Sequence, residues 1–239
     1  MSPLHSPFEI WPSTLWIVRH GESAGNIARE AALAARRLST GIDIRDVDVP
    51  LSPRGEKQAA ALGRWFRSQP PDDHPTVVLT SPYERAHRTA MILVSTAGFD
   101  HVPVFTDERL REKEFGVLDG LTGDGISARQ PEQATLRRFL GKFYHRPPGG
   151  ESWTDVILRL RTLMDTVSHE YPGERLLIVA HSVVVLCFRY ILEHMTETEL
   201  LALDQGDEVA NGSLTTYVLD PNCGRRGALV LKEFNFVAP

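Results

Sequence analysis

The chain has 239 residues, 42% of them hydrophobic, which suits one large α/β domain or two small ones with a proper core and excludes collagenous and disordered classes. Its 26 Lys and Arg against 31 Asp and Glu leave a formal net charge of −5, whereas a nucleic-acid binder usually carries a basic excess. Two cysteines, Cys187 and Cys223, are too few for a disulfide framework, and Cys187 in its apolar run reads as a small buried hydrophobe.

The opening MSPLHSPFEIWPS is proline-rich and lacks a basic n-region and an apolar h-region, so residues 1–13 are expected to be an N-terminal extension. Residues 15–18, Leu-Trp-Ile-Val, are short, apolar and partly β-branched, the pattern of a central parallel strand. They run into Arg19-His20-Gly21-Glu22, after which Ile27, Ala31, Ala34 and Ala35 fall at helical spacing. Ser52 then caps a second helix with Pro53 at its first position and an apolar face of Ala59, Leu62, Trp65 and Phe66. A Pro-rich loop at 69–75 precedes a strand at 77–79. Thr80-Ser81 forms its turn, and a helix is expected from Pro82 through Val94.

Further on, Pro147-Pro148 marks a loop, and Ser152 with Asp155 has capping-box spacing. The helix so opened carries a stripe of Val156, Leu160, Leu163, Met164 and Val167. A third buried strand at 176–179 ends near His181, and a helix follows to about residue 193. Thr196 and Glu199 cap another helix. After Asn211-Gly212 come a late strand and an edge strand at 228–236. Alternating strands and helices predict an α/β three-layer sandwich, a mostly parallel central sheet with helices on both faces, in a single domain over 1–239. The longest apolar stretch, 183–188, is far too short to span a bilayer, so a cytoplasmic location without a membrane partner is expected.

Three strand–turn–helix units place polar residues just past the carboxyl end of a buried strand, where open parallel sheets bind ligands. Arg19 and His20, Ser81 with Arg85, and His181 can therefore converge, although they are far apart in the chain. Two Arg, two His and the amide-bearing helix N-termini make an anion-loving pocket, and phosphate is its natural occupant.

These residues carry a family resemblance. Arg19-His20-Gly21-Glu22-Ser23 with Asn26 resembles the signature of the histidine phosphatase superfamily, in its phosphoglycerate mutase-like branch. TSPYERAHRTA resembles its second motif, with Arg85 as the arginine, and RLREKEFGVLDGLT its acid-bearing loop, with Glu112 at the acid position. His181 in VAHS matches the second histidine, although Ser182 stands where Gly is frequent. LSPRGEKQA and PPGGES also match, and the motifs follow the family order.

The resemblance implies a phosphoglycerate mutase-like fold and catalytic roles for His20, Arg19, Arg85, His181 and Glu112. Substrate contacts are implied from Gly21, Ser23, Asn26 and Ser182. Ser23 and Asn26 are also good helix-start residues in their own right. Neutral imidazole is a competent nucleophile at phosphorus, so His20 can form a phosphohistidine, its other ring nitrogen bound to a backbone carbonyl. Arg19, Arg85 and His181 can hold the phosphoryl oxygens. Glu112 can protonate the leaving group and later activate water, with Glu114 as the alternative acid.

No metal-ligand spacing occurs among the nine histidines, so neither metal nor cofactor is expected. His145 apart, the remaining histidines, His5 among them, read as surface or core residues. The stretch EAALAARRLSTGIDIRDVDVP departs from the Phe-Thr-Gly-Trp-like segment of the mutases. Residues 139–152 resemble instead the substrate loop of the fructose-2,6-bisphosphatase domain, which implies that Lys142, Tyr144 and Arg146 grip a second phosphate; a solvated basic loop is the plain alternative.

The expected activity is metal-independent hydrolysis of a small phosphorylated metabolite. A mutase-type phosphoryl transfer and an inactive phosphate-binding regulatory module are the alternatives. The oligomeric state is open, with a homodimer among the options.

Overall fold

A computed structural model describes residues 10–206, 209–224 and 226–239. Residues 1–9, with His5 and most of the N-terminal extension, lie outside the described residues. Six strands form one sheet in the order β3-β2-β4-β1-β5-β6. They are β1 (Thr14–Arg19), β2 (Val77–Thr80), β3 (Val104–Thr106), β4 (Arg175–Ala180), β5 (Ser213–Asp220) and β6 (Ala228–Val237). β1, β2, β3 and β4 are mutually parallel, while β5 and β6 run antiparallel at the far edge. The sheet is thus mostly parallel, as expected.

Side-chain alternation on the central strands feeds two cores. Leu15, Ile17, Leu176 and Ile178 pack with α6 (Trp153–Glu170), α7 (Ser182–Leu192) and Leu200 of α8 (Glu197–Gln205). Trp16, Val18, Leu177 and Val179 pack with α2 (Pro53–Ser68) and α3 (Glu84–Ala97) on the opposite face. The predicted α6 stripe is wholly buried, and so is Cys187. No helix of the described residues is long and apolar enough to cross a membrane.

Register in the sheet positions the site. Arg19 pairs with Ala180, so the ends of β1 and β4 lie side by side, and β2 ends next to them at Thr80 opposite Val179. The caps predicted at Ser52, Ser152 and Thr196 are all formed, the last two as reciprocal capping boxes.

Several local expectations need correction. α3 opens at Glu84 rather than Pro82, because the Ser81 hydroxyl accepts from the Tyr83 amide (3.2 Å) in a turn and also faces His181. In α1 (Ala24–Ala34) the spaced Ile27, Ala31 and Ala34 are exposed, as is Ala35 beyond its end; only Ala32 is buried. That helix is held by its cap and by the Ala24 amide donating to Pro50 O (3.0 Å), not by an apolar face.

Residues 139–144 belong to α5 (Pro131–Tyr144) rather than to a loop. Gly141, at φ 79° and ψ 159°, breaks the helix before its last three residues, a conformation that suits glycine. α4 (Gly123–Arg129), α5 and the three-residue β3 are elements the sequence reading missed.

Candidate active site

β1 carries Arg19 into the pocket and sets His20 just past its end, where the His20 amide extends the pairing with β4 by donating to Ala180 O (2.9 Å). Gly21 follows because no side chain fits there. A Cβ on Gly21 would lie 2.4 Å from Gly55 O, and one on Gly55 would lie 2.0 Å from Glu22 O. The turn after His20 is thus seated directly on the N-terminus of α2. The Gly21 amide donates to Thr89 Oγ1 on α3 (3.1 Å), so this residue acts through its backbone.

The His20 ring is buried, and its Nδ1 lies 2.7 Å from Gly21 O. A carbonyl only accepts, so Nδ1 carries the proton and Nε2 presents a lone pair. Arg85 Nε donates to that Nε2 at 3.2 Å. Burial, then the charges of Arg85 and Arg19, hold the His20 pKa well below its ordinary value, which keeps the imidazole neutral.

His181 is completely buried at the end of β4, with its ring 5.1 Å from that of His20. Its Nε2 lies 2.8 Å from Ser81 Oγ, while Nδ1 has no hydrogen-bond partner among the described residues. Burial, followed by Arg85, lowers its pKa as well.

Arg85, also buried, is oriented by Asp46: Nη2 pairs with the carboxylate at 2.9 Å and Nη1 donates to Asp46 O at 2.6 Å. Its guanidinium lies 5.0 Å from the Tyr83 ring centroid. Arg19 donates to Val209 O, reaching across to the chain before β5. The Gly212 amide donates to the carbonyls of Arg19 (3.1 Å) and His20 (3.0 Å), which fastens the strand end.

Glu112 is half-buried, and burial raises its carboxyl above the ordinary range. A hydrogen bond from the Lys113 amide (2.9 Å) and the charges of Arg85 and Arg19 oppose that rise without cancelling it. Glu114, the alternative acid, is engaged elsewhere: its Oε1 accepts from the Tyr83 hydroxyl at 2.6 Å.

The remaining sequence-predicted residues have local partners. The Ser23 hydroxyl accepts from the Asn26 amide (3.2 Å) and the Ser23 amide donates to Asn26 Oδ1 (3.0 Å), which makes the pair the capping box of α1. Asn211, which sequence reasoning passed over as a turn residue, donates to Asn26 Oδ1 and to His20 O, both at 3.2 Å. Ser182 opens α7.

Lys142 and Arg146 are not free cations. Lys142 pairs with Asp204 of α8 and Arg146 with Asp155 of the α6 cap, each through a short contact. Tyr144, between them, is exposed and stacks edge-on against Phe143 (4.9 Å). The double variant Lys142→Ala with Arg146→Ala is therefore expected to change kcat/KM by less than about threefold, as for solvent-screened pairs, whether the substrate carries one anionic group or two. A tenfold loss confined to two-anion substrates would show that both pairs open to grip the second anion.

Asp46, Tyr83, Thr89, Asn211 and Val209 also belong to this neighbourhood. Asp46 lies in an acidic loop without distinctive spacing, and Val209 contributes only a carbonyl, so neither leaves a readable signal. Tyr83 and Thr89 sit inside the Arg85 motif and could have been read from it. Among the described residues, no group of three or more His, Cys, Asp or Glu side chains is placed to hold a metal ion.

The assembled cluster offers an unprotonated imidazole nitrogen, cationic and N–H donors around it, and a carboxyl whose pKa burial raises. Such a set can bind a tetrahedral oxyanion and accept a phosphoryl group.

Comparison with known proteins agrees in fold. Residues 15–229 match the family described as the histidine phosphatase superfamily (branch 1). The chain is 31% identical over 188 residues to a 2,3-bisphosphoglycerate-dependent phosphoglycerate mutase of Gloeobacter violaceus, covering 78% of each. It is 31% identical over 192 residues to one of Methylobacterium radiotolerans, covering 78% of this chain and 82% of that protein. Among solved structures, a mycobacterial glucosyl-3-phosphoglycerate phosphatase in complex with VO3 superposes with a TM-score of 0.68 at 25% identity, covering 93% of this chain and 99% of the other. With the fold and these sequence matches in agreement, the chain belongs to the histidine phosphatase superfamily, in its branch 1.

Proposed function

We propose that this protein is a metal-independent phosphomonoesterase acting on a small phosphorylated metabolite through a phosphohistidine at His20. The observation that carries the reading is the state of His20: a proton fixed on Nδ1 by Gly21 O, a lone pair on Nε2, and Arg85 Nε 3.2 Å away. The imidazole is ready to attack without first losing a proton.

In the first step Nε2 forms a bond to phosphorus as the bond to the ester oxygen breaks. Glu112 gives its proton to that oxygen, so the leaving group departs as a neutral alcohol. Arg19, Arg85 and His181 stabilise charge on the three non-bridging oxygens. In the second step the Glu112 carboxylate takes a proton from water, the water oxygen bonds to phosphorus, and the nitrogen–phosphorus bond breaks. Inorganic phosphate leaves, and His20 and Glu112 return to their starting states.

The mutase names of the curated relatives support a second reading, in which the phosphoryl group returns to a bound hydroxyl instead of water. A panel of phosphometabolites separates the two. Hydrolysis releases free phosphate from a preferred substrate, in excess chelator as well as without it. Interconversion of phosphoglycerates primed by 2,3-bisphosphoglycerate, without phosphate release, would favour the mutase.

A general acid matters most for poor leaving groups. Glu112→Gln is expected to slow an alkyl or sugar phosphate about 10²-fold or more, and p-nitrophenyl phosphate much less. The kcat/KM profile should be bell-shaped. It rises as His20 loses its proton, at a pH below that of ordinary histidine because that pKa is lowered. It falls as Glu112 loses its proton, at a pH above that of an ordinary glutamate because that pKa is raised. Glu112→Gln should remove the falling limb for an alkyl phosphate. If Glu114→Gln gives this pattern instead, the acid is two residues along.

A further inference from the structure

Glu112 stands on an irregular stretch between two short 3-10 turns, Glu108–Leu110 and Gly116–Leu118. Backbone there has no helix or strand to satisfy its polar groups, so something else must. One ion pair does much of it. Arg159 of α6 donates from Nη1 to Arg109 O and from Nη2 to Glu112 O (3.3 Å). Glu151, which Arg159 meets through Nε (2.9 Å) and Nη2 (3.2 Å), accepts from the Glu114 amide at 3.1 Å and from Arg111 at 2.7 Å. The Glu151 amide closes the circuit by donating to Glu114 O at 2.9 Å.

The grip therefore falls on Arg109 and Arg111 before Glu112, on Glu114 after it, and on the Glu112 carbonyl itself. Both partners are largely withdrawn from water, with side chains 12% and 10% exposed. Burial alone would raise the Glu151 carboxyl, but Arg159, with the Glu114 amide and Arg111, more than reverses this and holds it below the ordinary value. The loops are also in close backbone contact. A Cβ on Gly150 would lie 2.7 Å from Glu114 O, and one on Gly116 2.2 Å from Pro148 O. A buried ion pair gives little net stability when its only partners are each other. Here the donors and lone pairs are spent on the acid-bearing segment, which fixes where the carboxyl can stand.

We propose that Glu151 and Arg159 are positioning residues for the general acid, holding the 111–114 backbone so that the Glu112 carboxyl meets the leaving-group oxygen. The inference rests on the reading of Glu112 as the acid. It also predicts a kinetic signature that a merely structural pair would lack. A misplaced acid slows only substrates that need protonation of the leaving group.

The test compares Arg159→Lys, Glu151→Gln and the milder Arg111→Ala on an alkyl phosphate and on p-nitrophenyl phosphate, with thermal melts alongside. The two clamp variants should lose about tenfold or more in kcat on the alkyl phosphate, at the low end of general-acid effects, with little change in KM. On p-nitrophenyl phosphate the loss should stay within about threefold. Arg111→Ala should show the same selectivity to a smaller extent. In a Glu112→Gln background the clamp substitutions should add almost nothing, because the group they position is already gone.

Equal losses on both substrates, additive losses on Glu112→Gln, or full activity in a folded variant would overturn the proposal. So would loss of the fold in all three variants, which would make the pair structural. If Glu112→Gln itself shows no leaving-group selectivity, the acid assignment fails. If it does and the clamp variants do not, only the positioning inference fails.

Discussion

His20→Ala should abolish turnover, with a loss of at least about 10⁴-fold in kcat, because the proposed nucleophile itself is removed. The His181 ring lies 5.1 Å away, but its Nε2 is engaged with Ser81. The fold should survive. The strand end is held by backbone bonds from Gly212 and from the His20 amide, and these remain when the ring is cut away. Phosphate release measured on the purified, folded variant checks this. Residual activity above about one part in a hundred, in a preparation free of wild-type enzyme, is incompatible with attack by this residue.

Arg85→Ala should cost about 10³-fold or more in kcat/KM, in the range of arginines that stabilise phosphoryl transfer. Three effects add. The variant loses a donor to the phosphoryl oxygens and the Nε contact that orients His20 Nε2. It also leaves the Asp46 carboxylate beside the pocket without its counter-ion, which repels a phosphate dianion. Arg85→Lys should recover little, because an ammonium cannot span His20 and Asp46 as the planar fork does. The pH profile supplies a second readout. Arg85 helps to depress the His20 pKa, so its removal should move the rising limb to higher pH, and the loss should be greatest under acid conditions. An unchanged limb would mean that Arg85 does not act on His20 through its charge.

Much of this site was legible because its chemistry lies on regular elements. β1, β2 and β4 announce themselves as short apolar runs, and each ends within two residues of a polar group that turns out to be buried. The caps at Ser52, Ser152 and Thr196 are local hydrogen-bond patterns, and such patterns carry over directly from sequence to structure.

What escaped has physical reasons. β3 is only three residues long. α5 exposes Leu136, Phe139 and Leu140, so its apolar residues do not form a buried stripe, and Gly141 interrupts it. Lys142 and Arg146 read as an open cationic grip because their carboxylate partners are separated in sequence: Asp204 lies three helices further on, and Asp155 already serves a cap. Asp46 and Val209 act through an acidic loop and a bare carbonyl. Contacts of that kind exist only once the chain has folded.

The most direct test of the central claim is a rapid-quench experiment with a radiolabelled phosphomonoester, followed by mapping of the label under alkaline conditions. The mechanism predicts label on the peptide bearing His20, stable to alkali and lost in acid. It should form at least as fast as turnover and discharge to water as inorganic phosphate. Label on a serine or aspartate, or a phosphoenzyme that persists in water and discharges only to an added acceptor, would contradict it.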